Sequence, residues 1–151
     1  MENDLTYRSQ FLLEVLDYWQ IPKDSSILEV GAGDWRNVNY LKEHGYENVE
    51  GIDKIHGTAI EDIEPKQYDL IFSMSCFFLI PPEKNWVFEK IASMAKTWLI
   101  TIEGEVHRGS DLFGREYNEV FGKFGFNQLE HMTDVFNEYG VLRVLKRNGT
   151  A

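Results

Sequence analysis

The sequence predicts an α/β protein with a doubly wound, mostly parallel sheet and an antiparallel hairpin at the C-terminal end. Two observations predict this fold. Short β-rich runs alternate with amphipathic helical segments along most of the chain, and the first such run ends in a glycine loop, residues 31–33. Alternation of this kind is typical of parallel sheets with helices on both faces. With 151 residues, the chain suits one domain, 1–151, that buries a core without disulfides.

An amphipathic helix is predicted within the N-terminal segment, residues 1–21. Apolar residues between positions 5 and 19 recur at helical spacing, and Pro22 ends the pattern. This segment is the candidate lid over a site, with Tyr7 and Tyr18 as the side chains that would face a substrate.

The first strand is predicted at residues 27–30. This run is apolar, short and rich in β-formers, and it leads directly into Gly31 and Gly33. Asp34 is placed to cap the next helix, which ends near Gly45.

Four further strands are predicted in the parallel part of the sheet. They are the second strand at 49–53, a short third strand at 58–63, the fourth at 68–74 and the fifth at 97–103. A helix opened by Pro81–Glu83 precedes the fifth strand. The predicted buried face of that helix is Trp86, Val87, Ile91 and Met94.

The last part of the chain predicts a helix and a hairpin. Residues 117–124 carry aromatic and aliphatic side chains at helical spacing before a glycine. The stretches 126–136 and 141–145 flank a turn-forming segment and predict two antiparallel strands.

Composition excludes several classes of function. The 25 acidic and 15 basic residues give a net charge of −10, which disfavours a nucleic acid as partner. The longest apolar run, 77–82, is too short to span a membrane, and the acidic N-terminus differs from a signal peptide, so we expect a cytosolic protein. The single cysteine, Cys76, is expected to be a small buried apolar residue.

The glycine loop and a later aspartate predict a nucleoside-binding site. In doubly wound sheets, ligands bind beyond the carboxyl ends of the strands where the strand order reverses, which is the place of Gly31 and Gly33. Asp53, at the end of the second strand, can accept both hydroxyls of a ribose. NAD and S-adenosylmethionine both fit this pattern, but Arg36 stands where a dinucleotide site has its third glycine.

The segment Glu29-Val30-Gly31-Ala32-Gly33 resembles the first motif of the class I S-adenosylmethionine-dependent methyltransferases. The resemblance covers nearly the whole chain and implies a Rossmann-like methyltransferase fold. It also implies S-adenosylmethionine (SAM) as methyl donor and S-adenosylhomocysteine (SAH) as product. The cofactor-binding residues that it implies are Glu29, Gly31, Ala32, Gly33, Asp53, Ile60, Glu61, Ser73 and Met74.

The expected function is methyl transfer from SAM to a small-molecule acceptor. The expected substrate pocket comprises Tyr7, Trp35, Phe77, Phe78, Arg115 and Tyr117. Leu79 stands where relatives often have a histidine, so the candidate general base is His107, which follows the fifth strand.

Two alternatives stay open at this point. The chain could be a catalytically silent cofactor-binding or partner module of the same fold, and an NAD-dependent oxidoreductase is a less favoured possibility. Glu103, Glu105 and His107 alternate along a strand end and could together hold a divalent cation, although we expect no metal ion.

Overall fold

The computed structural model describes residues 4–150, which form four α-helices and one sheet of six strands. The helices are α1 (Thr6–Tyr18), α2 (Arg36–Glu43), α3 (Trp86–Met94) and α4 (Tyr117–Gly122). The strands are β1 (Ile27–Val30), β2 (Val49–Ile52), β3 (Tyr68–Met74), β4 (Ala95–Gly104), β5 (Phe126–Met132) and β6 (Gly140–Arg147).

The sheet confirms the predicted doubly wound topology. Its strand order is β2-β1-β3-β4-β6-β5, with β1 to β4 parallel, β6 antiparallel to β4, and β5 antiparallel to β6. Strand β1 lies between β2 and β3. The chain therefore places β2 on one side of β1 and the next strand, β3, on its other side. That reversal puts the loop after β1 at the switch point where such sheets bind ligands.

Helices cover both faces of the sheet, and each face has its own core. Along the strands successive residues alternate between the two cores, as Leu70 and Ile71 do on β3. The first core includes Leu12 and Leu16 of α1. The second includes Phe88 of α3 and Tyr117 and Phe121 of α4.

The predicted third strand is wrong. Residues 58–63 run as turns beyond β2, so β2 is an edge strand. The carbonyl oxygens of Glu61 and Ile63 accept hydrogen bonds from Nζ of Lys90 at 3.1 and 2.7 Å, which satisfies them without a neighbouring strand. Ile60 is buried, so this segment still contributes to the second core.

Trp86 is not on the buried face of its helix, contrary to the prediction. It is 51% exposed because it shares the outer side of α3 with Glu89 and Lys90, whereas Phe88 is buried beside Val87. The prediction of Asp34 as helix cap is also corrected in part. Asp34 accepts a hydrogen bond from the Arg36 amide at 3.2 Å, but the residue at the cap position is Trp35, in the left-handed conformation (φ 66°).

The hairpin is confirmed, with a longer connection than predicted. Strand β5 ends at Met132, and residues 133–139 form a loop that includes Val135 and Phe136. A side chain on Gly140 would collide with the carbonyl oxygen of Val135, so this tight return requires glycine. None of the helices within residues 4–150 is long and apolar enough to cross a membrane.

Candidate functional site

Three adjoining cavities lie where β1 to β4 end. The first, the β2 cavity, has a volume of about 210 Å³ and is lined by Gly31, Ile52, Asp53, Ile60 and Glu61, among others. The second, the glycine-loop cavity, has about 150 Å³ and is lined by Arg8, Glu29, Gly31, Arg36, Asn37 and Met74, among others. The third, the Arg108 cavity, has about 90 Å³ and is lined by Ser75, Phe78, Glu103, Arg108, Phe136 and Asn137, among others.

The three cavities form a row because neighbouring cavities share a residue. Gly31 borders both the β2 cavity and the glycine-loop cavity, and Ser75 borders both the glycine-loop cavity and the Arg108 cavity. A separate groove of about 420 Å³ lies around Trp19 and Trp98. It includes Ser25, which precedes β1, so it lies at the amino-terminal ends of the strands, opposite the three cavities.

The glycine loop has the backbone geometry that the sequence predicts. Gly31 and Gly33 both have positive φ, at 76° and 58°. A Cβ on Gly31 would collide with the side chain of Cys76, whereas a Cβ on Gly33 would meet nothing within 4 Å. Gly31 is therefore required both for its conformation and for the close approach of the loop that follows β3.

Asp53 ties the end of β2 to the glycine loop. One carboxylate oxygen accepts from the Gly33 amide at 2.8 Å and the other from the Ile55 amide at 2.9 Å. His56 Nε2 lies 2.7 Å from the carbonyl oxygen of Gly33. These contacts fix the spacing of the two elements that flank the β2 cavity.

The β2 cavity is mainly apolar, with charged groups at one side. Glu61 accepts from Lys84 at 3.1 Å and forms an ion pair with Lys54 at 3.3 Å. Partial burial acts to raise the pKa of Glu61, but the two lysines outweigh it and hold that pKa below its usual range. Glu61 is thus an ionised acceptor at neutral pH.

Glu29 is a buried carboxyl group in the glycine-loop cavity. It is 2% exposed, and Oε2 accepts from Nδ2 of Asn37 at 2.9 Å. Its Oε1 atom has no hydrogen-bond partner among residues 4–150. Burial raises the pKa of Glu29 to about 8, against the opposing effects of Asn37 and Arg36.

Helix α1 contributes directly to this cavity. Ser9 is fully buried, and its Oγ donates to Oδ1 of Asn37 at 2.7 Å and accepts from Nε of Arg36 at 3.2 Å. Arg36 also contacts Sδ of Met74 at 3.4 Å, and Arg8 lines the cavity from α1. The N-terminal helix therefore positions two side chains of α2 and borders the cavity itself.

In the Arg108 cavity, a second buried carboxyl group holds the loop after β3. Glu103 is 1% exposed and accepts from the Cys76 amide with both oxygens, at 3.0 and 2.9 Å. It also lies 3.4 Å from the Phe78 amide. Burial raises the pKa of Glu103 to about 7, although these amide donors act to lower it.

Phe77 and Tyr117, predicted in the substrate pocket, lie in the core instead. They are 1% and 0% exposed and pack together at a ring-centroid distance of 5.5 Å. Phe88 and Phe121 complete this aromatic cluster between α3 and α4. Of the two consecutive phenylalanines, only Phe78 lines a cavity.

Trp35 lines none of the three cavities, contrary to its predicted place beside the reacting centre. Its ring lies over Gly51 of β2, where any Cβ would collide with it, and stacks on His56 at a centroid distance of 4.9 Å. Because Gly51 has no side chain, the indole of Trp35 fits over β2 and lies outside the cleft.

Arg115 and Ser73 also lie outside the cavities. Arg115 donates to the carbonyl oxygens of Phe77 at 3.1 Å and Ile80 at 2.6 Å, so it braces the loop after β3. Ser73 is fully buried within the sheet. Its neighbour Met74 does line the glycine-loop cavity.

The two tyrosines of α1 lie at different ends of that helix. Tyr7 is 48% exposed and packs edge-on at 5.7 Å against Phe136, which lines the Arg108 cavity, but Tyr7 itself lines none of the three cavities. Tyr18 is 74% exposed beside Trp19, remote from the three cavities, so its predicted place over the site is wrong.

His107 and the two acids before it do not converge. His107 is exposed, accepts from the Gly114 amide at 3.2 Å and lines none of the cavities. Glu105 pairs with Arg143 through two contacts of 2.7 Å, while Glu103 binds backbone amides. Within the described part of the chain, no three His, Cys, Asp or Glu residues are grouped to hold a metal ion.

Several residues of the site were not predicted from the sequence. Arg8 and Asn37 face the glycine-loop cavity, and Arg108 and Asn137 face the third cavity. Ser9 and Asn37 carried a usable signal, because each is a polar residue on the apolar side of a predicted helix. Arg108 carried none, since its surroundings come from distant segments.

Comparison with known proteins gives structural matches only. No protein-family model and no curated protein matches the chain. Magnesium protoporphyrin IX methyltransferase from Synechocystis with bound SAH is 11% identical, with a TM-score of 0.75 over 98% of this chain and 90% of that one. A SAM-dependent methyltransferase from Clostridium acetobutylicum is 12% identical, with a TM-score of 0.75 over 98% and 94%. One from Mesorhizobium loti is 11% identical, with a TM-score of 0.67 over 86% and 95%.

Proposed function

We propose that the chain, which has the fold of the class I SAM-dependent methyltransferases, is itself a SAM-dependent methyltransferase that acts on a small-molecule acceptor. The observation that carries this proposal is the cleft around Gly31, which has an apolar cavity on one side and a charged cavity on the other. SAM has the same polarity along its length, with an adenosine at one end and a zwitterionic methionine at the other.

The residues of the glycine-loop cavity fit the methionine end. The buried Oε1 of Glu29 lacks a partner among the described residues and suits an ammonium group. The guanidinium groups of Arg8 and Arg36 border the same cavity and suit a carboxylate. Gly31 borders both cavities, and its lack of a side chain permits the close approach of Cys76 at their junction.

The residues of the β2 cavity fit the adenosine end. Asp53 would accept from ribose hydroxyls, and Ile60 and Glu61 would flank the adenine. SAM bound there would supply a methyl group on a positively charged sulfur. Its transfer would form a bond between the acceptor and the methyl carbon, break the carbon–sulfur bond and leave SAH.

The protein's own contribution is alignment and exclusion of water. Holding two reactants in the attacking geometry can lower a barrier by about 7 to 11 kcal/mol. Phe78 lines the Arg108 cavity together with Ser75, where that cavity meets the glycine-loop cavity. Its ring would limit the access of water to this junction. His107 lies outside this junction, so we propose it at most as a distant proton acceptor.

A catalytically silent module of the same fold is the second candidate. It is favoured by one observation: no histidine lines the three cavities in the described part of the chain. Such a module would bind SAM and SAH equally well and would convert neither. An NAD-dependent activity is disfavoured because Arg36 occupies the start of α2 and is held there by Ser9.

Calorimetric titration with SAM, SAH and NAD tests the proposal. We expect heat from SAM and SAH and none from NAD. Heat from NAD alone would overturn the methyltransferase assignment. A gel shift with DNA and tRNA at low salt tests the accompanying proposal that the acceptor is not a nucleic acid, since the net charge of −10 opposes such binding.

A further inference from the structure

Arg108 is a cation without an acidic partner in the third cavity. Its guanidinium donates no hydrogen bond and makes no ion pair to any residue in the 4–150 range, and its Nε atom is buried. A buried Nε–H group is expected to have a hydrogen-bond partner, whereas the terminal nitrogens of Arg108 are not buried and stay available to a ligand. The cavity that Arg108 lines is the nearest source of one.

The guanidinium is held in place without using its donors. It lies over the ring of Tyr139 at 4.1 Å and near the ring of Phe78 at 5.9 Å. A Cβ on Gly104 would come within 3.2 Å of one of its terminal nitrogens, so the glycine leaves room for it. Cation–π contacts fix the plane of the group and leave its edge available.

Glu103 lines the same cavity but does not neutralise Arg108. The two groups are not within ion-pair distance, and both carboxylate oxygens of Glu103 accept from the Cys76 amide. The carboxyl group is therefore committed to the backbone of the loop after β3.

We propose that the Arg108 cavity binds a carboxylate group of the methyl acceptor, which makes the substrate a small organic acid. This inference rests on the proposed function, because it assigns the acceptor side of that site. A cavity volume of about 90 Å³ leaves room for a group of the size of a carboxylate. A planar guanidinium edge matches a carboxylate through two parallel hydrogen bonds.

The position of the cavity agrees with this role. It meets the glycine-loop cavity at Ser75, so an acceptor anchored at Arg108 extends toward the proposed methionine end of the donor. Asn137 borders the carboxylate position from the loop between β5 and β6. Arg108 would thus set both specificity and orientation.

An NMR titration of the wild-type protein with paired probes tests the inference. The probes are acetate and benzoate, their neutral amides acetamide and benzamide, and inorganic phosphate, each added with and without SAH. The variants are Arg108→Gln, Arg108→Lys, which keeps the charge, and Lys123→Gln, which removes a charge at an exposed site.

We expect acetate and benzoate to shift the backbone N–H signals of Phe78 and Gly104. Acetamide and benzamide should leave those signals unchanged. Arg108→Gln should weaken carboxylate binding by at least about tenfold, Arg108→Lys by less, and Lys123→Gln not at all. Equal binding of benzoate and benzamide, tighter binding of phosphate than of either carboxylate, or unchanged binding by Arg108→Gln would overturn the inference.

The two proposals fail separately in this experiment. Addition of SAH alone reports on the donor site through the signals of Gly31 and Gly33. If SAH shifts those signals and no carboxylate binds, the methyltransferase proposal stands and the acceptor inference falls. If carboxylates bind through Arg108 while SAH has no effect, the anion subsite stands and the proposed function falls.

Discussion

The glycine-loop cavity and the Arg108 cavity meet at Ser75 but hold their charges differently. In the first, Glu29 sits in a hydrogen-bonded network that runs through Asn37 to Ser9 of α1. In the second, Arg108 is held by aromatic rings and has no polar partner among the described residues.

This difference reflects two binding tasks. The donor is the same molecule in every turnover, so backbone amides and a buried hydrogen-bonded network, both encoded by short sequence motifs, are sufficient to bind it. An acceptor must be selected, and the selecting group has to keep its hydrogen-bonding capacity for the ligand. We therefore expect the cavity with the hydrogen-bonded network to hold the donor and the Arg108 cavity to select the acceptor.

The largest effect that would sharpen this contrast is expected at Gly31. Gly31→Ala adds a Cβ that collides with Cys76 at a residue with φ of 76°. We expect a loss of about 2 to 5 kcal/mol in the free energy of unfolding, from strain and overpacking together, with loss of SAH binding. Chemical denaturation and calorimetry measure both quantities.

Gly33→Ala is the matched control for that variant. Gly33 also has positive φ, at 58°, but a Cβ there meets nothing within 4 Å. The expected loss is about 1 to 2 kcal/mol, from strain alone. Equal losses in the two variants would show that the close approach of Cys76 is unimportant.

Asp53 should give the next largest effect on the donor side. Asp53→Ala removes the acceptor for the Gly33 and Ile55 amides and the proposed ribose contact. We expect SAH to bind about ten- to a hundredfold more weakly by calorimetry. Asp62→Ala, at an exposed position of the following loop, serves as control, and a comparable loss in that variant would refute the assignment.

Replacement of Glu29 by glutamine should improve stability at high pH and weaken SAH binding. Its pKa of about 8 exceeds the value in the unfolded chain, so the folded protein binds the extra proton and loses stability as pH rises from about 4.5 to 8. Glu29→Gln should flatten that decline, whose steepest slope is about 1.4 kcal/mol per pH unit, and should weaken SAH binding about tenfold.

Denaturation at several pH values, paired with SAH titration, checks this prediction. Glu14→Gln, at an exposed position of α1, should change neither quantity. A Glu29→Gln protein that becomes less stable at pH 8, or that binds SAH normally, would contradict the role given to this carboxyl group.

The smallest effect is expected at His107. It lies outside the three cavities, so His107→Ala should lower turnover less than about tenfold, below the usual gain from general base catalysis. Phe78→Ala should cost more, because it opens the Arg108 cavity to water. Turnover against pH with an identified acceptor decides. Loss of all detectable turnover in His107→Ala would make that histidine the base.

The positions of the residues on the proposed donor side could be predicted from the sequence because their geometry is local. Gly31, Gly33 and Asp53 lie at the ends of two short strands, and the parallel pairing of those strands fixes their distance. The prediction of a third strand was wrong because of a contact between distant segments. Lys90 of α3 donates hydrogen bonds to carbonyl groups in residues 58–63, in place of a neighbouring strand.

The acceptor side could not be predicted from local pattern. Two adjacent phenylalanines have the same side-chain chemistry, yet Phe77 packs under α3 and Phe78 lines a cavity. Arg108 gains its role from Tyr139, which only the return of the β5–β6 loop brings near. Contacts between distant segments leave no periodic signal in the sequence.

A crystal structure of the protein with SAH would test the assignment of the three cavities. We expect the adenosine in the β2 cavity, the homocysteine end in the glycine-loop cavity with its ammonium beside Glu29, and the Arg108 cavity free of SAH. SAH bound in the groove around Trp19 and Trp98, or with its homocysteine end in the β2 cavity, would contradict it.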